Sequence, residues 1–432
     1  MRKKVSEFTL NLQRQRIVPL WALLNDDVIY SNAINEKFAW KNKSKKIHSA
    51  MRIAEYLKIT DVLIFMVGLF KIALSLNKIK NKKLKNGDSS EIYKKIFVGH
   101  GANAEKFIFD EYKLKAKESI LVINVITLEG FEKICVPRLF FLLKSLFKNA
   151  FGLSAKIGKL SFFLKHHKQD FLTVAALNIG EYVLFKHFFS AAKSKGIDEI
   201  TFLALHVAAH SCIHEKIKMT YWSHGLIKLS IPMIKPDQVF VLTTEEKRHV
   251  EFLFDNKINC NLIKNYEYFV EKKENKVIFI SPEDTLAYSD SVQKNIFLFF
   301  QWCRFESIEI ILRPSPKITE SNMLKLEQKF GNVKIDKLDQ NFDARLKEIK
   351  PKYVVGFNST GMFTAFSMGI LPISFCDPDP NSKKWNMIYP MNRQVLFWPK
   401  DQNIIKETMQ AELDYHSVLS RLRVDNSEFI SV

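Results

Sequence analysis

The chain has 432 residues, 47% apolar and 12% aromatic, which is enough for two domains that each bury a core. Its 65 lysines and arginines against 46 acids leave a net charge of +19. That balance points to a polyanionic partner, although AT-rich coding produces the same joint abundance of Lys, Asn, Ile and Phe. Five scattered cysteines (Cys135, Cys212, Cys260, Cys303, Cys376) with no CxxC pair argue against a disulfide framework or a structural zinc site, and for a reducing compartment.

The first residues, MRKKVSEFTLNLQRQR, carry charge with no apolar run after it, unlike a secretory signal, and the pattern to residue 58 is helical and polar. Val62–Phe70 with the following IALSL makes about 15 apolar residues around Lys71, short of the roughly 20 that span a bilayer. It reads as a buried helix rather than an interfacial one. Lys78–Ser90 is a basic linker. Lys95–Gly101 reads as a strand entering a Gly-His-Gly turn, and Ile120–Ile126 as a second apolar strand.

Leu139–His167 repeats Phe and Leu at helical spacing, broken by lysines and containing no acid. Such a segment suits either an anionic bilayer surface or a core helix with a lysine-lined solvent side. Leu172–Leu177 reads as a strand, Glu181–Ser194 as a helix and Ile200–Leu205 as another strand. His206, His210 and His214 recur every four residues, but no acid or cysteine completes a metal set, so packing or surface histidines are expected.

Lys218–Ile231 is a strand ending in a Ser-His-Gly turn, and Pro232 and Pro236 then mark a change of domain. Beyond them strands and helices alternate: Val239–Leu242, a helix capped by Thr244, Val277–Ile280, a helix through Arg304, Ile308–Leu312, and a helix over Phe342–Ile349. Tyr353–Pro372 then gives strand, polar turn, helix and strand. The expected fold class is α/β, with a doubly wound parallel sheet. Residues 1–235 form the N-terminal domain, 236–400 the C-terminal one, and 401–432 a closing helix and tail.

Ligands of doubly wound sheets bind at the carboxyl ends of strands, which is where this reading puts His224, Ser281, Arg313 and Ser359. Ser359, Thr360 and Gly361 begin a helix, whose free N–H groups and dipole favour a phosphate; a simple N-cap would need only one hydroxyl. Arg313, presented by Pro314 with Lys317 nearby, could grip a phosphate in bidentate fashion, or be a salt-bridged surface arginine. His224, before Gly225, could act as a general base or simply satisfy backbone groups at its turn.

The order of a His-Gly turn, a strand-end basic-Pro pair and a Ser-Thr turn resembles bacterial sialyltransferases and polysialyltransferases, and is similar to CDP-glycerol glycerophosphotransferases. In these families a His-Pro motif and a Ser-Ser/Thr motif serve the nucleotide; Arg313-Pro314 and Ser359-Thr360 match them in position. With Arg in place of His, the resemblance carries over phosphate binding and not acid catalysis. The paired acids that precede glycine in sialyltransferases have no clear match, since Asn178-Ile179-Gly180 lacks both and Leu128-Glu129-Gly130 keeps one. The base candidates are therefore His224, then Glu181 or Glu129.

The resemblance implies two Rossmann-like domains facing a cleft, the GT-B type, and an inverting, metal-independent glycosyltransferase with no cofactor. Its donor would be a nucleotide sugar, a CMP-activated acidic sugar (sialic-acid-like or Kdo-like) being favoured. Its acceptor would be a bacterial surface glycan of capsule or lipopolysaccharide type, free or lipid-linked. The expected location is cytoplasmic and peripheral, at the inner face of an anionic membrane. A CDP-glycerol-type or other nucleotide-sugar transferase is the nearest alternative, and a non-catalytic basic protein of membrane surfaces the next. No nucleic-acid partner is expected, because aromatic-glycine RNA motifs and a basic recognition helix are missing.

Overall fold

The structure, a computed structural model, describes residues 2–33, 35, 38, 40, 42–86, 93–99, 120–160, 168–203, 207–223, 233–241, 244–262, 273–280, 290–314, 321, 324–325, 328, 333–336, 342–357, 360–375, 396–398, 402–403 and 405–406. The chain divides into two compact units, Arg2–Ile263 and Lys264–Val432.

The first unit opens with four helices, α1 (Arg2–Arg14), α2 (Asp26–Ala33), α3 (Asn42–Tyr56) and α4 (Thr60–Asn86). Strands β1 (Lys95–Gly99) and β2 (Ile120–Asn124) precede α5 (Phe131–Ile134), α6 (Leu139–Ala150), α7 (Leu153–Lys159) and α8 (Lys168–Ser194). After β3 (Glu199–Phe202), α9 (Val207–Cys212) and β4 (Lys218–Trp222), the unit closes with β5 (Gln238–Val241), α10 (Thr244–Leu253) and β6 (Asn259–Leu262). All six strands run parallel in the order β2-β1-β3-β4-β5-β6. Parallel strands need covering on both faces, and β1 accordingly shows four buried residues in a row.

Three sequence expectations change here, the first being that Lys78–Asn86, expected within a basic linker, continues helix α4. Leu172–Leu177, expected as a strand, lies within α8, where Phe171–Ala176 are all buried. A helix buried all round has no polar stripe, so periodicity cannot separate it from a buried strand. The expected change of domain at Pro232–Pro236 falls inside the first sheet, because β5 pairs with β4 and β6 with β5. Asp237 fixes that junction: its Oδ2 accepts the Met219 N–H at 2.6 Å, and its own N–H donates to the Met219 carbonyl at 2.9 Å. The N-terminal helix is tied to the same end of the unit, since Gln13 bonds both the Leu253 carbonyl and the Met233 N–H at 3.0 Å.

The second unit contains β7 (Glu274–Ile280), α11 (Asp290–Phe305), β8 (Glu309–Arg313) and β9 (Lys334–Ile335). It continues with α12 (Phe342–Ile349), β10 (Pro351–Gly356), α13 (Thr360–Ser367), β11 (Leu371–Ser374) and β12 (Leu396–Phe397). Its parallel sheet is ordered β12-β11-β10-β7-β8-β9. Numbered within the unit and read from the β9 end, this is 3-2-1-4-5-6, the Rossmann order. One side of the sheet packs on Phe279, Phe299, Phe300, Phe375 and Trp398, whose rings meet edge-on or tilted. Two parallel-sheet α/β domains are thus what the chain forms, as its strand–helix alternation led one to expect. The closing helix expected beyond residue 401 lies almost wholly outside the described residues.

Candidate nucleotide-phosphate site

In a Rossmann sheet the chain leaves in opposite directions from the two central strands, which opens a crevice at their carboxyl ends. Here those strands are β7 and β10. β7 ends at Ile280, directly before Ser281, and β10 at Gly356, three residues before Ser359. The backbone is close-packed at this point: a Cβ on Gly356 would lie 3.2 Å from the Ile280 carbonyl oxygen. Helix α13 starts here with Thr360, so its first N–H groups belong to the switch point.

Phe342, the first residue of α12, links this helix start to Arg313. A Cβ on Gly361 would come 2.9 Å from the Phe342 ring and 2.8 Å from Ile280 Cδ1, so glycine lets helix, strand and ring close together. The Arg313 guanidinium carbon lies 5.3 Å from the centre of the same ring, in cation–π range. The sequence-predicted Arg313 and Gly361 therefore share one aromatic neighbour, with Pro314 buried just beyond the arginine.

Arg313 is also held by an acid that sequence reasoning missed. Asp336 follows β9, is buried, and accepts hydrogen bonds from Arg313 Nη1 and, at 2.5 Å, from Arg345 Nε. Its N–H donates to the Leu312 carbonyl at 2.8 Å, which continues the β8–β9 pairing to this residue. Arg345 reaches on to Glu348 at 2.6 Å, one turn along α12. The alternative weighed for Arg313, a salt-bridged arginine, is thus a fact of the structure, except that the bridge is buried rather than superficial. A carboxylate behind a guanidinium does not abolish anion binding. It fixes the fork and lowers the entropy lost when a phosphate is gripped.

The base candidates separate. Glu181 sits midway along α8, not at a strand end, in the packing between α4 and α8. Burial pushes its carboxyl pKa up against the opposing pull of Lys71, and burial also lowers the Lys71 pKa. Lys71 Nζ donates to the Leu177 carbonyl. Glu129 lies in the turn after β2, whose Asn124 Oδ1 accepts the Ile126 and Thr127 N–H groups; its side chain is mostly exposed and Lys82 is 3.6 Å away. Strand β4 ends two residues before His224. His224, Ser281, Lys317, Ser359 and the side chain of Thr360 lie outside the described residues.

Of the histidine series, His210 is buried in α9 with neither ring nitrogen hydrogen-bonded, and burial holds its pKa down at about 3. His206 lies outside the described residues. Among the described residues no cluster of three or more His, Cys, Asp or Glu is placed to hold a metal.

No family model and no curated protein matches the sequence. Among solved structures the chain is similar to the UDP-GlcNAc 2-epimerase of Methanocaldococcus jannaschii in complex with UDP-GlcNAc and UDP. The two are 13% identical, the match covers 73% of this chain and 92% of that one, and the TM-score is 0.42. It is similar too to LpCGTa in complex with UDP, at 9% identity, 76% and 82% coverage and a TM-score of 0.35. A third similarity is to the GtfA/B complex, at 11% identity, 57% coverage of each chain and a TM-score of 0.33.

Proposed function

We propose that this protein is a nucleotide-sugar transferase that holds its donor phosphate at the β7–β10 switch point. The observation that carries the reading is the joint placement of the α13 N-terminus and the Asp336-held Arg313 around Phe342. Helix N–H groups and a fixed guanidinium are aimed where negative charge grows as the nucleotide leaves, and such preorganised donors stabilise it without reorganising. A base takes the proton of the acceptor hydroxyl, the oxygen attacks the anomeric carbon, and the bond to the nucleotide phosphate breaks with inversion. His224 is the first candidate for that base. Glu129 now stands ahead of Glu181, because a mostly exposed turn carboxylate can reach an acceptor while Glu181 sits midway along α8 in the packing against α4.

The finer reading rests on the sequence resemblance: a CMP-activated acidic sugar as donor, a surface glycan as acceptor, and work at the inner face of the cytoplasmic membrane. Donor profiling tests it. Release of CMP from a CMP-sugar supports the assignment, and replacing Arg313 with Ala should lower kcat by about a hundredfold or more. Turnover of a UDP-sugar alone would reject the CMP donor and keep the transferase. CDP-glycerol turnover would select the polyol-phosphate alternative. No turnover of any donor, with polyanion binding indifferent to Arg313→Ala, would leave the non-catalytic reading.

A further inference from the structure

Helix α4 holds an apolar stretch within Thr60–Lys83, long and apolar enough to cross a membrane by length and composition, yet it packs against the core helix α8 of its own unit. Ile64, Gly68 and Ile72 form its buried side. The contact is close: a Cβ on Gly180 of α8 would be 2.8 Å from the Gly68 carbonyl oxygen. The opposite side carries Val62, Met66 and Phe70, of which Met66 is 54% and Phe70 66% exposed. The sequence expectation of a buried helix therefore holds for one side only.

Helix α6 packs beside α4, against the edge of its buried side. Phe65 of α4 meets Phe147 and Phe151 at ring-centre distances of 6.3 and 6.0 Å, and Asp61 accepts the Gly152 and Ser154 N–H groups at 2.7 and 2.9 Å. Helix α6 buries Leu142, Leu146 and Ala150 and leaves Phe140 71% and Phe147 56% exposed. Neighbouring helices that each expose large apolar side chains mark an interaction surface.

Its charge identifies the occupant. Lys144 and Lys148 stand exposed among the phenylalanines, Lys58 precedes α4 and Lys156 follows on α7, while Leu139–Leu160 contains no acid. Protein–protein interface cores are depleted of lysine, whereas aromatics with interspersed lysines suit the headgroup boundary of an anionic bilayer, the rings entering and the ammonium groups staying at the phosphates.

We infer that the α4–α6 surface docks the protein, as a monotopic face, on anionic membranes. Only part of this surface belongs to the basic segment visible in the sequence; α4 supplies the rest. The inference is independent of the transfer chemistry.

The test is co-sedimentation of the full chain with vesicles of phosphatidylcholine alone or with phosphatidylglycerol, alongside size-exclusion chromatography. Wild-type protein should sediment with the anionic vesicles. The variant M66S/F70S/F140S removes three exposed side chains and should bind at least about a hundredfold more weakly with its melting temperature kept. K144E/K148E should lose about tenfold or more of the preference for anionic vesicles. Arg313→Ala should bind vesicles like the wild type, so a failed transferase assignment and a failed docking assignment give different results. Wild-type protein that ignores anionic vesicles, or a triple variant that binds them equally well, would overturn the inference. So would a concentration-dependent dimer, lost in the triple variant, without vesicle binding, since a second copy would then be the occupant.

Discussion

Asp336 has no exposed side-chain surface and sits between two guanidinium groups, so its removal is more than the loss of a contact. Truncating one member of a buried ion network strands its partners without compensation, which costs about 3–5 kcal/mol. Asp336→Ala should therefore be strongly destabilising in urea unfolding. Arg313→Gln should unfold closer to wild type, because Arg345 remains on the carboxylate. If Asp336→Ala were as stable as wild type, Arg313 would not be fixed in the way described. This residue also shows where sequence reading stopped. Arg313 stood out through its proline and its place at a strand end, but Asp336 lies in KIDKLDQN, which has no apolar run and no motif. Its partner becomes visible only once β8 and β9 pair, and β9 is two residues long. A search for an acid one strand further on could have proposed it.

Elements were legible where one pattern dominated. β7, β8 and β10 are short apolar runs between turns, and the helices after Thr244 and before Pro351 show amphipathic spacing. β6, with the sequence NCNL, carries almost no hydrophobic signal and gains its strand geometry from pairing with β5. The first half of α8 defeated the reading for the reverse reason, since Phe171–Leu177 carries no polar stripe. At Gly180, helix propensity and packing oppose each other. Alanine gains up to about 1 kcal/mol in a helix interior. Here its Cβ would meet backbone, the Gly68 carbonyl oxygen at 2.8 Å, and Lys71 Cβ at 2.9 Å. Carbonyls of a packed helix cannot rotate away, so overpacking at about 1–3 kcal/mol should prevail. Gly180→Ala should lower the melting temperature and Ser at an exposed site of α8, such as Lys195's neighbour Ser194→Ala, should not. A stabilised Gly180→Ala would mean that α4 and α8 are less tightly joined than described.

For the molecule as a whole, net charge and fold class were plain from composition and alternation, while the extent of the apolar surface was not, because exposure depends on which side of α4 meets α8. Acid stability is likewise a property of the folded chain. Burial lowers the pKa of His210 to about 3 and of His249 to about 4, against an ordinary value of 6.5. Both are neutral when folded and take up protons when unfolded. The unfolded state therefore binds more protons below pH 6.5, and stability should decline from there to about pH 4, by about 1.4 kcal/mol per pH unit for each group. His249→Phe should remove one proton's worth of that slope in urea titrations run at several pH values; an unchanged slope would show that His249 is not neutral and enclosed.

The central claim, that a nucleotide phosphate is bound at the β7–β10 switch point by Arg313 and the start of α13, is tested most directly by thermal shift with CMP, CDP, UDP and GDP. A ligand at a hundred times its Kd adds about 2.7 kcal/mol to the stability of the state it binds. Wild-type protein should show a clear rise in Tm with at least one of the four, and Arg313→Gln, measured against its own ligand-free Tm, should show none. A nucleotide shift that survives Arg313→Gln unchanged, or no shift with any of the four, would contradict the account.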